Sequence, residues 1–145
     1  MGDRYKYQVL ITRYEVRRFY FYWMAAQDLK ERTFLFAVAV GKLVITLPYN
    51  SINREHFRQI IRSSASVGAN YRAARRAKSD ADFLNKLKIV EEETDETIYF
   101  LELLMAFNPD QQNFINPLIN EGTELLKIIV ASCVTVREKI NHPKK

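Results

Sequence analysis

A run of basic side chains between residues 54 and 78 is the part of this sequence whose residue types could do chemistry. Seven of these residues are Arg or Lys, and Glu55 is the one acid among them. Six of the seven are arginine, whose planar guanidinium can hold a phosphate through two parallel hydrogen bonds. The pattern predicts a surface that binds a nucleic-acid backbone, formed by Arg54, Arg58, Arg62, Arg72, Arg75, Arg76 and Lys78.

We call these seven residues the basic stripe. At about 100° per residue in a helix, five of its arginines fall within an arc of about 80°. Ala65 and Ala69 lie between them on that arc, so no bulky or acidic side chain interrupts the stripe. Phosphate contacts of this kind give affinity and salt dependence but little sequence preference. Two alternatives stay open: a solvated helix face, or arginines paired with acids of the following helix, Glu91, Glu92, Glu93, Asp95, Glu96 and Glu102.

Four helical segments are predicted to position these residues, at about 28–47, 50–77, 79–107 and 116–140. Pro48 ends the first segment, and Asn108 with Pro109 ends the third. Ser79 opens the third segment with a sequence that resembles a capping box. Asn116 and Pro117 place a cap and a first-turn proline before the fourth segment. Because the connections are short, the prediction is an all-α, antiparallel up-down-up-down four-helix bundle.

Apolar spacing supports this bundle and points to self-association. On the third helix, apolar residues recur every three or four positions and form one buried stripe. The first and fourth helices carry apolar residues on more than one face, which a small bundle cannot bury alone. We therefore expect a homo-oligomer.

Small residues in the middle of the second helix predict a close approach by a neighbouring backbone. Gly68 costs about 1 kcal/mol relative to Ala at such a position, so tight packing should offset it. Asn70 could donate and accept hydrogen bonds across a helix contact. The predicted packing motif consists of Ser64, Gly68 and Asn70.

Other chemistry finds little support in the sequence. One cysteine, Cys133, excludes an internal disulfide and suits the cytoplasm. Two isolated histidines, His56 and His142, are too few for most metal sites, and no glycine-rich phosphate loop is present. The longest apolar run, residues 34–47, is shorter than the roughly 20 residues that a membrane span needs. We therefore expect no catalytic residue, metal, cofactor or membrane contact.

Residues 1–23 differ in composition from the rest of the chain. They hold eight aromatic residues and five basic residues against two acids. They are interpreted as an N-terminal extension, with an aromatic and basic functional arm as the alternative. The bundle domain is placed at 24–141, and 142–145 form a tail.

Several segments together resemble a known bacterial family. They are DLKERT at 28–33, RSSASVGANYR at 62–72, IVEEE at 89–93, YFLELL at 99–104 and ELLKI at 124–128. In these segments the chain is similar to the 23S rRNA-intervening sequence proteins, also called the S23 family or bacterial four-helix bundle proteins. Two positions depart from the family pattern: Ala73 replaces a usual Glu, and Phe100 replaces a frequent Trp.

The resemblance implies a four-helix bundle that assembles into a ring-like homopentamer. A similar bundle is the accessory protein of diversity-generating retroelements, which implies RNA or DNA and a reverse transcriptase or another protein as partners. The function expected is a non-catalytic, nucleic-acid-binding bundle. The alternative is a protein-interaction scaffold or accessory subunit with no nucleic-acid role.

Overall fold

The computed structural model describes residues 28–142, which form four α-helices joined by short turns. The predicted extension at 1–23, the start of the bundle near residue 24 and the last three tail residues lie outside the described residues. Within 28–142 there is no β-strand, which confirms the all-α prediction. The helices are α1, Leu29–Thr46; α2, Ser51–Ala74; α3, Asp80–Phe107; and α4, Gln112–Asn141, preceded by a 3₁₀ turn at Pro109–Gln111.

Side-chain caps begin the first three helices at the predicted residues. Asp28 accepts a hydrogen bond from the Lys30 amide at 3.1 Å, and Asn50 accepts one from the Asn53 amide at 2.9 Å. Ser79 caps α3 by accepting from the Asp82 amide at 3.1 Å. The Asp82 carboxylate accepts from the Lys78 amide at 3.0 Å, one residue before the amide that a standard capping box would use. Each cap satisfies an otherwise unpaired amide of the first turn.

The predicted start of the fourth helix is wrong. The helix begins at Gln112, and Pro117 lies inside it. Pro109 instead opens the preceding 3₁₀ turn, where its missing N–H costs nothing. Ile115, fully buried in the core, lies before Pro117, and its burial offsets the backbone hydrogen bond that the proline removes.

The four helices run antiparallel, with α1 and α3 as neighbours of α2. At one end, Asp28 before α1 lies 3.4 Å from Arg75 at the end of α2. At the same end, Lys139 of α4 lies 2.8 Å from Asp80 of α3. At the other end, Asn53 of α2 is hydrogen-bonded to Asn108 after α3. The chain therefore follows the predicted up-down-up-down path.

The core consists of two apolar clusters, one near each end of the bundle. Phe36, Ile60 and Leu101 are fully buried in the first cluster, which joins α1, α2 and α3 to α4. Val67, Val90 and Ile129 are buried in the second. Between α2 and α3 there is also a buried polar contact: the Thr97 hydroxyl donates to Ser63 Oγ at 2.9 Å. Small hydroxyl side chains therefore let these two helices pack closely and keep their polar atoms paired.

None of the four helices between residues 28 and 142 combines the length and apolar character needed to cross a membrane.

Candidate nucleic-acid interface

The basic stripe follows one side of α2 and continues into the turn that precedes α3. At a rise of about 1.5 Å per residue, positions 54 and 72 of a helix are about 27 Å apart along its axis. The stripe is not continuous over this length, because its members meet different partners. It divides into a middle, the N-terminal end of α2 and the C-terminal end of α2.

Arg62, in the middle of the stripe, is held by two carboxylates of α3. Its Nη1 donates to both oxygens of Glu93, at 3.1 and 3.2 Å, and its Nη2 donates to Glu96. The hydrogen bond to Glu96 and then that to Glu93 raise the pKa of Arg62. Both terminal nitrogens are thus occupied, and a phosphate would have to displace two carboxylates to reach them. For Arg62 the geometry matches the alternative in which a stripe arginine pairs with acids of α3.

Arg54 and Arg58, at the N-terminal end of α2, share one acid. Arg54 Nη2 lies 3.1 Å from Glu55 Oε1, and Arg58 Nη1 lies 3.8 Å from Glu55 Oε2. The Arg58 side chain is 79% exposed. Two guanidinium groups against one carboxylate leave one net positive charge at this position, open to solvent.

The C-terminal end of α2 carries the remaining four stripe residues, and we call them the basic end: Arg72, Arg75, Arg76 and Lys78. All four side chains are exposed. Arg75 pairs with Asp28, and the Arg72 guanidinium lies 5.9 Å from the centre of the Phe34 ring, a distance at which a cation and an aromatic face attract. In the part of the chain that the structure describes, neither Arg76 nor Lys78 forms an ion pair, although the charge of Lys78 helps to lower the pKa of Asp82.

The helix α2 ends just before three of the four residues of the basic end. The helix was predicted to continue to Ala77 but ends at Ala74. The next amides form tighter turns, with Arg76 donating to the Ala73 carbonyl at 3.1 Å and Ala77 donating to the Ala74 carbonyl at 2.9 Å. Arg75, the C-cap residue, keeps helical backbone angles, and its amide donates to the Tyr71 carbonyl at 3.1 Å. Arg76 lies in the turn that leads to Lys78.

The two acids that follow the basic end in the sequence pair with lysines outside it. Asp80 pairs with Lys139 at 2.8 Å, and Asp82 pairs with Lys86. The hydrogen bond from Lys86, and then that from the Lys78 amide, lower the pKa of Asp82. Asp80 and Asp82 are therefore each paired with a lysine outside the basic end, which leaves the basic end with an excess of positive charge.

The predicted packing motif lies on the inner side of α2. Gly68 faces α1: a Cβ at this position would lie 3.5 Å from Thr33 Oγ1 and 3.6 Å from the Thr33 backbone carbon. Ser64 is buried and donates to the Ile61 carbonyl at 3.3 Å. Asn70 donates to the Ser66 carbonyl at 2.9 Å, within α2 and not across to another helix.

Sequence reasoning missed two polar features at the opposite end of the bundle. Asn53 and Asn108 form a buried pair, and only the position of Asn53 three residues after a cap gave any local signal. His56 packs between the rings of Phe100 and Phe107, at centre-to-centre distances of 6.0 and 5.6 Å. Its Nε2 is buried without a hydrogen-bond partner among the described residues.

The described residues give little basis for metal or nucleophile chemistry. No group of three His, Cys, Asp or Glu side chains within 28–142 is placed to hold a metal ion. Cys133 is buried in the same apolar cluster as Val90 and Ile129. Burial, with the charge of Glu91, raises the pKa of the Cys133 thiol, which disfavours the thiolate that a nucleophile requires.

Known proteins resemble this chain in sequence and in fold. The family of 23S rRNA-intervening sequence proteins matches residues 26–131. A crystal structure of a protein of unknown function from the S23 ribosomal protein family of Bacteroides thetaiotaomicron is 34% identical to this chain. The similarity covers 73% of this chain and 98% of that one, with a TM-score of 0.64. No curated protein gives a significant match.

Proposed function

This chain belongs to the family of 23S rRNA-intervening sequence proteins. We propose that it is a non-catalytic, homo-oligomeric protein of the cytoplasm. In this proposal its distribution of positive charge makes it a nucleic-acid-binding protein. The binding surface in this proposal is the basic end. Its ligand is the phosphate backbone of RNA or DNA, bound without strong sequence preference.

The proposal is supported by two exposed cations of the basic end that form no ion pair. Within residues 28–142 no carboxylate lies at ion-pair distance from Arg76 or Lys78, and Asp80 and Asp82 pair with Lys139 and Lys86. Exposed cations that no acid neutralises attract a polyanion at long range and release its counterions on contact. Arg72 and Arg75 extend the same surface along α2. Arg75 can exchange its partner Asp28 for a phosphate, because exposed ion pairs are weak.

The proposed surface is smaller than the seven-residue stripe. Arg62 serves the α2–α3 contact through Glu93 and Glu96, so it is assigned to the bundle and not to phosphate. Arg54 and Arg58 lie about 27 Å and 21 Å along the helix from Arg72, separated from the basic end by that neutralised position. They are therefore left out of the proposed nucleic-acid contact.

The test is a titration of labelled structured RNA and duplex DNA at two salt concentrations, followed by fluorescence anisotropy. Wild-type affinity should fall steeply as salt is raised. The variant R76E/K78E should bind much more weakly, and the slope of log affinity against log salt should fall by roughly 1.5 for two lost phosphate contacts. The matched variant K88E/K127E carries the same charge change on exposed positions of α3 and α4 and should bind like wild type. Equal binding by R76E/K78E and wild type would rule out the basic end.

Self-association is supported by apolar side chains that the single chain leaves exposed. On α1 these include Phe34 and Ile45, and on α4 they include Val130 and Val134. These are the helices whose sequences carry apolar residues on more than one face. Exposed apolar surface does not stabilise a monomer. We therefore propose that further copies of the chain cover these side chains, in a ring-like pentamer. Sedimentation equilibrium of the full chain tests this, and a mass of 17.1 kDa at all concentrations would contradict it.

A protein-interaction scaffold is the second candidate, and the pairing of Arg62 with Glu93 and Glu96 favours it. In that case the arginines of α2 are used for protein contacts. Changing stripe arginines to lysine would keep the charge but lose the two-armed hydrogen bonding. Weaker assembly with unchanged nucleic-acid affinity would favour the scaffold over the binding protein.

A further inference from the structure

An apolar groove lies between the C-terminal end of α1 and the N-terminal half of α2, away from the basic end. Its walls are Val44, Ile45, Leu47, Tyr49, Phe57 and Ile61. Three of these side chains are strongly exposed, and Tyr49 is the most exposed at 67%. Arg54 and Arg58 line the same groove and, with Glu55 as their shared acid, give it a net positive edge. An occupant that fits must offer apolar surface flanked by carboxylates.

The outer face of α3 offers this combination. Tyr99 is 55% exposed and packs its ring edge-on against Phe100 at 5.5 Å. Asp95, four residues before Tyr99, and Glu102, three residues after it, lie on the same side of the helix because 3.6 residues make one turn. Both acids are exposed, and neither has an ion-pair partner among the described residues. Tyr99 is therefore an exposed aromatic side chain between two free carboxylates.

The groove and Tyr99 also lie at the same height along the bundle. Phe100, next to Tyr99, contacts His56 of α2, and Glu96 is paired with Arg62 of α2. Tyr99 thus lies level with residues 56–62, and the groove is lined by α2 residues 54–61. Rotation about an axis parallel to the helices leaves every residue at its own height. Copies related in this way bring Tyr99 of one chain level with the groove of the next.

We infer that the groove binds a second copy of this chain, with Tyr99 inserted between α1 and α2 and its flanking acids facing Arg54 and Arg58. The inference rests on the self-association proposed above and names the surfaces that form it. Because the two surfaces are different, the contact is head-to-tail, and repeated rotation closes it into a ring. The aromatic ring supplies most of the buried apolar surface, and the charges fix which face docks.

Charge reversal on each side provides the test, with average mass by sedimentation equilibrium as the measurement. R54E/R58E and D95R/E102R should each reduce the mass toward that of the single chain, 17.1 kDa. Combining all four substitutions in one chain should restore assembly, because each groove then meets the opposite charge on its neighbour. An equimolar mixture of the two double variants should exceed the mass of either variant alone, but five chains cannot alternate completely, so the mixture should not close a pentamer. Circular dichroism should show unchanged helicity, because all four side chains are exposed.

Two further variants separate this inference from general effects of charge. Y99S should reduce the mass and should not be rescued by mixing with either charge variant. R76E/K78E, a reversal of the same size at the basic end, should leave the mass unchanged whatever it does to nucleic-acid binding. Wild-type mass for R54E/R58E, or failure of the chain with all four substitutions to assemble, would overturn the inference. So would a loss of nucleic-acid binding by R54E/R58E at unchanged mass, which would make the groove edge a phosphate contact.

Discussion

Asn53 and Asn108 exchange two hydrogen bonds across the end of the bundle. Asn53 Nδ2 donates to Asn108 Oδ1 at 2.9 Å, and Asn108 Nδ2 donates to Asn53 Oδ1 at 3.0 Å. Asn53 also donates to the Pro48 carbonyl at 2.8 Å, and Asn108 donates to the Leu104 carbonyl at 2.8 Å. Both side chains are buried, so these bonds join the α1–α2 turn to the end of α3 without access to water.

Replacing Asn108 by Ala should destabilise the protein by about 1 to 3 kcal/mol, because buried amide atoms of Asn53 lose their partner. The double variant N53A/N108A should cost less than the sum of the two single variants, since one interaction cannot be lost twice. Urea unfolding of the four proteins gives the coupling free energy. Additive effects would show that the two amides act independently.

The glycines of the helices should respond to alanine in different directions. A Cβ at Gly41 would meet nothing within 4 Å, so G41A should stabilise the protein by about 1 kcal/mol through helix propensity. A Cβ at Gly122 would lie 2.8 Å from Ile98 Cγ1 and 3.3 Å from Phe36 Cζ. G122A should therefore destabilise by about 1 to 3 kcal/mol from overpacking. At Gly68 the neighbouring atoms lie at ordinary contact distance, so G68A should be tolerated. Urea unfolding would rank the three, and a stabilised G122A would contradict the packing described.

Arg32 and Glu121 form the most buried ion pair among the described residues, and its loss should lower the stability of the protein. Arg32 donates from Nε and Nη2 to the two oxygens of Glu121, at 2.5 and 2.8 Å, with the side chains 25% and 13% exposed. R32A should cost about 2 kcal/mol, and R32K should recover only part of this because it lacks the fork. R54A, which breaks an exposed pair with Glu55, should cost less than about 1 kcal/mol. Equal losses for R32A and R54A in thermal unfolding would contradict this ranking.

The Asp82–Lys86 pair should make stability depend on pH in the acid range. The hydrogen bond from Lys86 lowers the pKa of Asp82 below its ordinary value of 3.8 when the protein is folded. A carboxyl whose folded pKa is depressed adds stability that is fully present above the unfolded pKa and is lost as pH falls through the folded value. D82N should therefore be less stable than wild type at pH 7, and the difference should shrink once the pH drops below about 4. Unfolding free energies measured at a series of pH values check this. K86M should show the same convergence, and a constant difference would contradict the pairing.

Features set by neighbouring residues could be predicted from the sequence. The caps at Asp28, Asn50 and Ser79 depend on bonds that span two or three positions, so their residue types identify them. The start of α4 could not be read in this way. Asn116 and Pro117 have the chemistry of a helix start, but the helix begins earlier, at Gln112, and already includes the buried Ile115.

The candidate site could not be predicted from the sequence without knowing which residues of neighbouring helices face each other. The sequence places Arg62 on the stripe and places acids on α3, but only the antiparallel register shows that Glu93 and Glu96 lie opposite Arg62. Similarly, Asn53 and Asn108 are 55 positions apart, so no local pattern relates them. The charge that remains available at the basic end is what is left after these cross-helix pairs have formed.

The even number of antiparallel helices has a practical consequence for labelling. Residues 28 and 142 both lie at the basic end, as the Asp28–Arg75 and Asp80–Lys139 pairs show. A fluorophore attached at the exposed position 28 or 142 would therefore lie at the same end of the bundle as Arg76 and Lys78 and could screen them. A dye attached at the exposed Gln112, the first residue of α4, would report on the same molecule from the opposite end of the bundle.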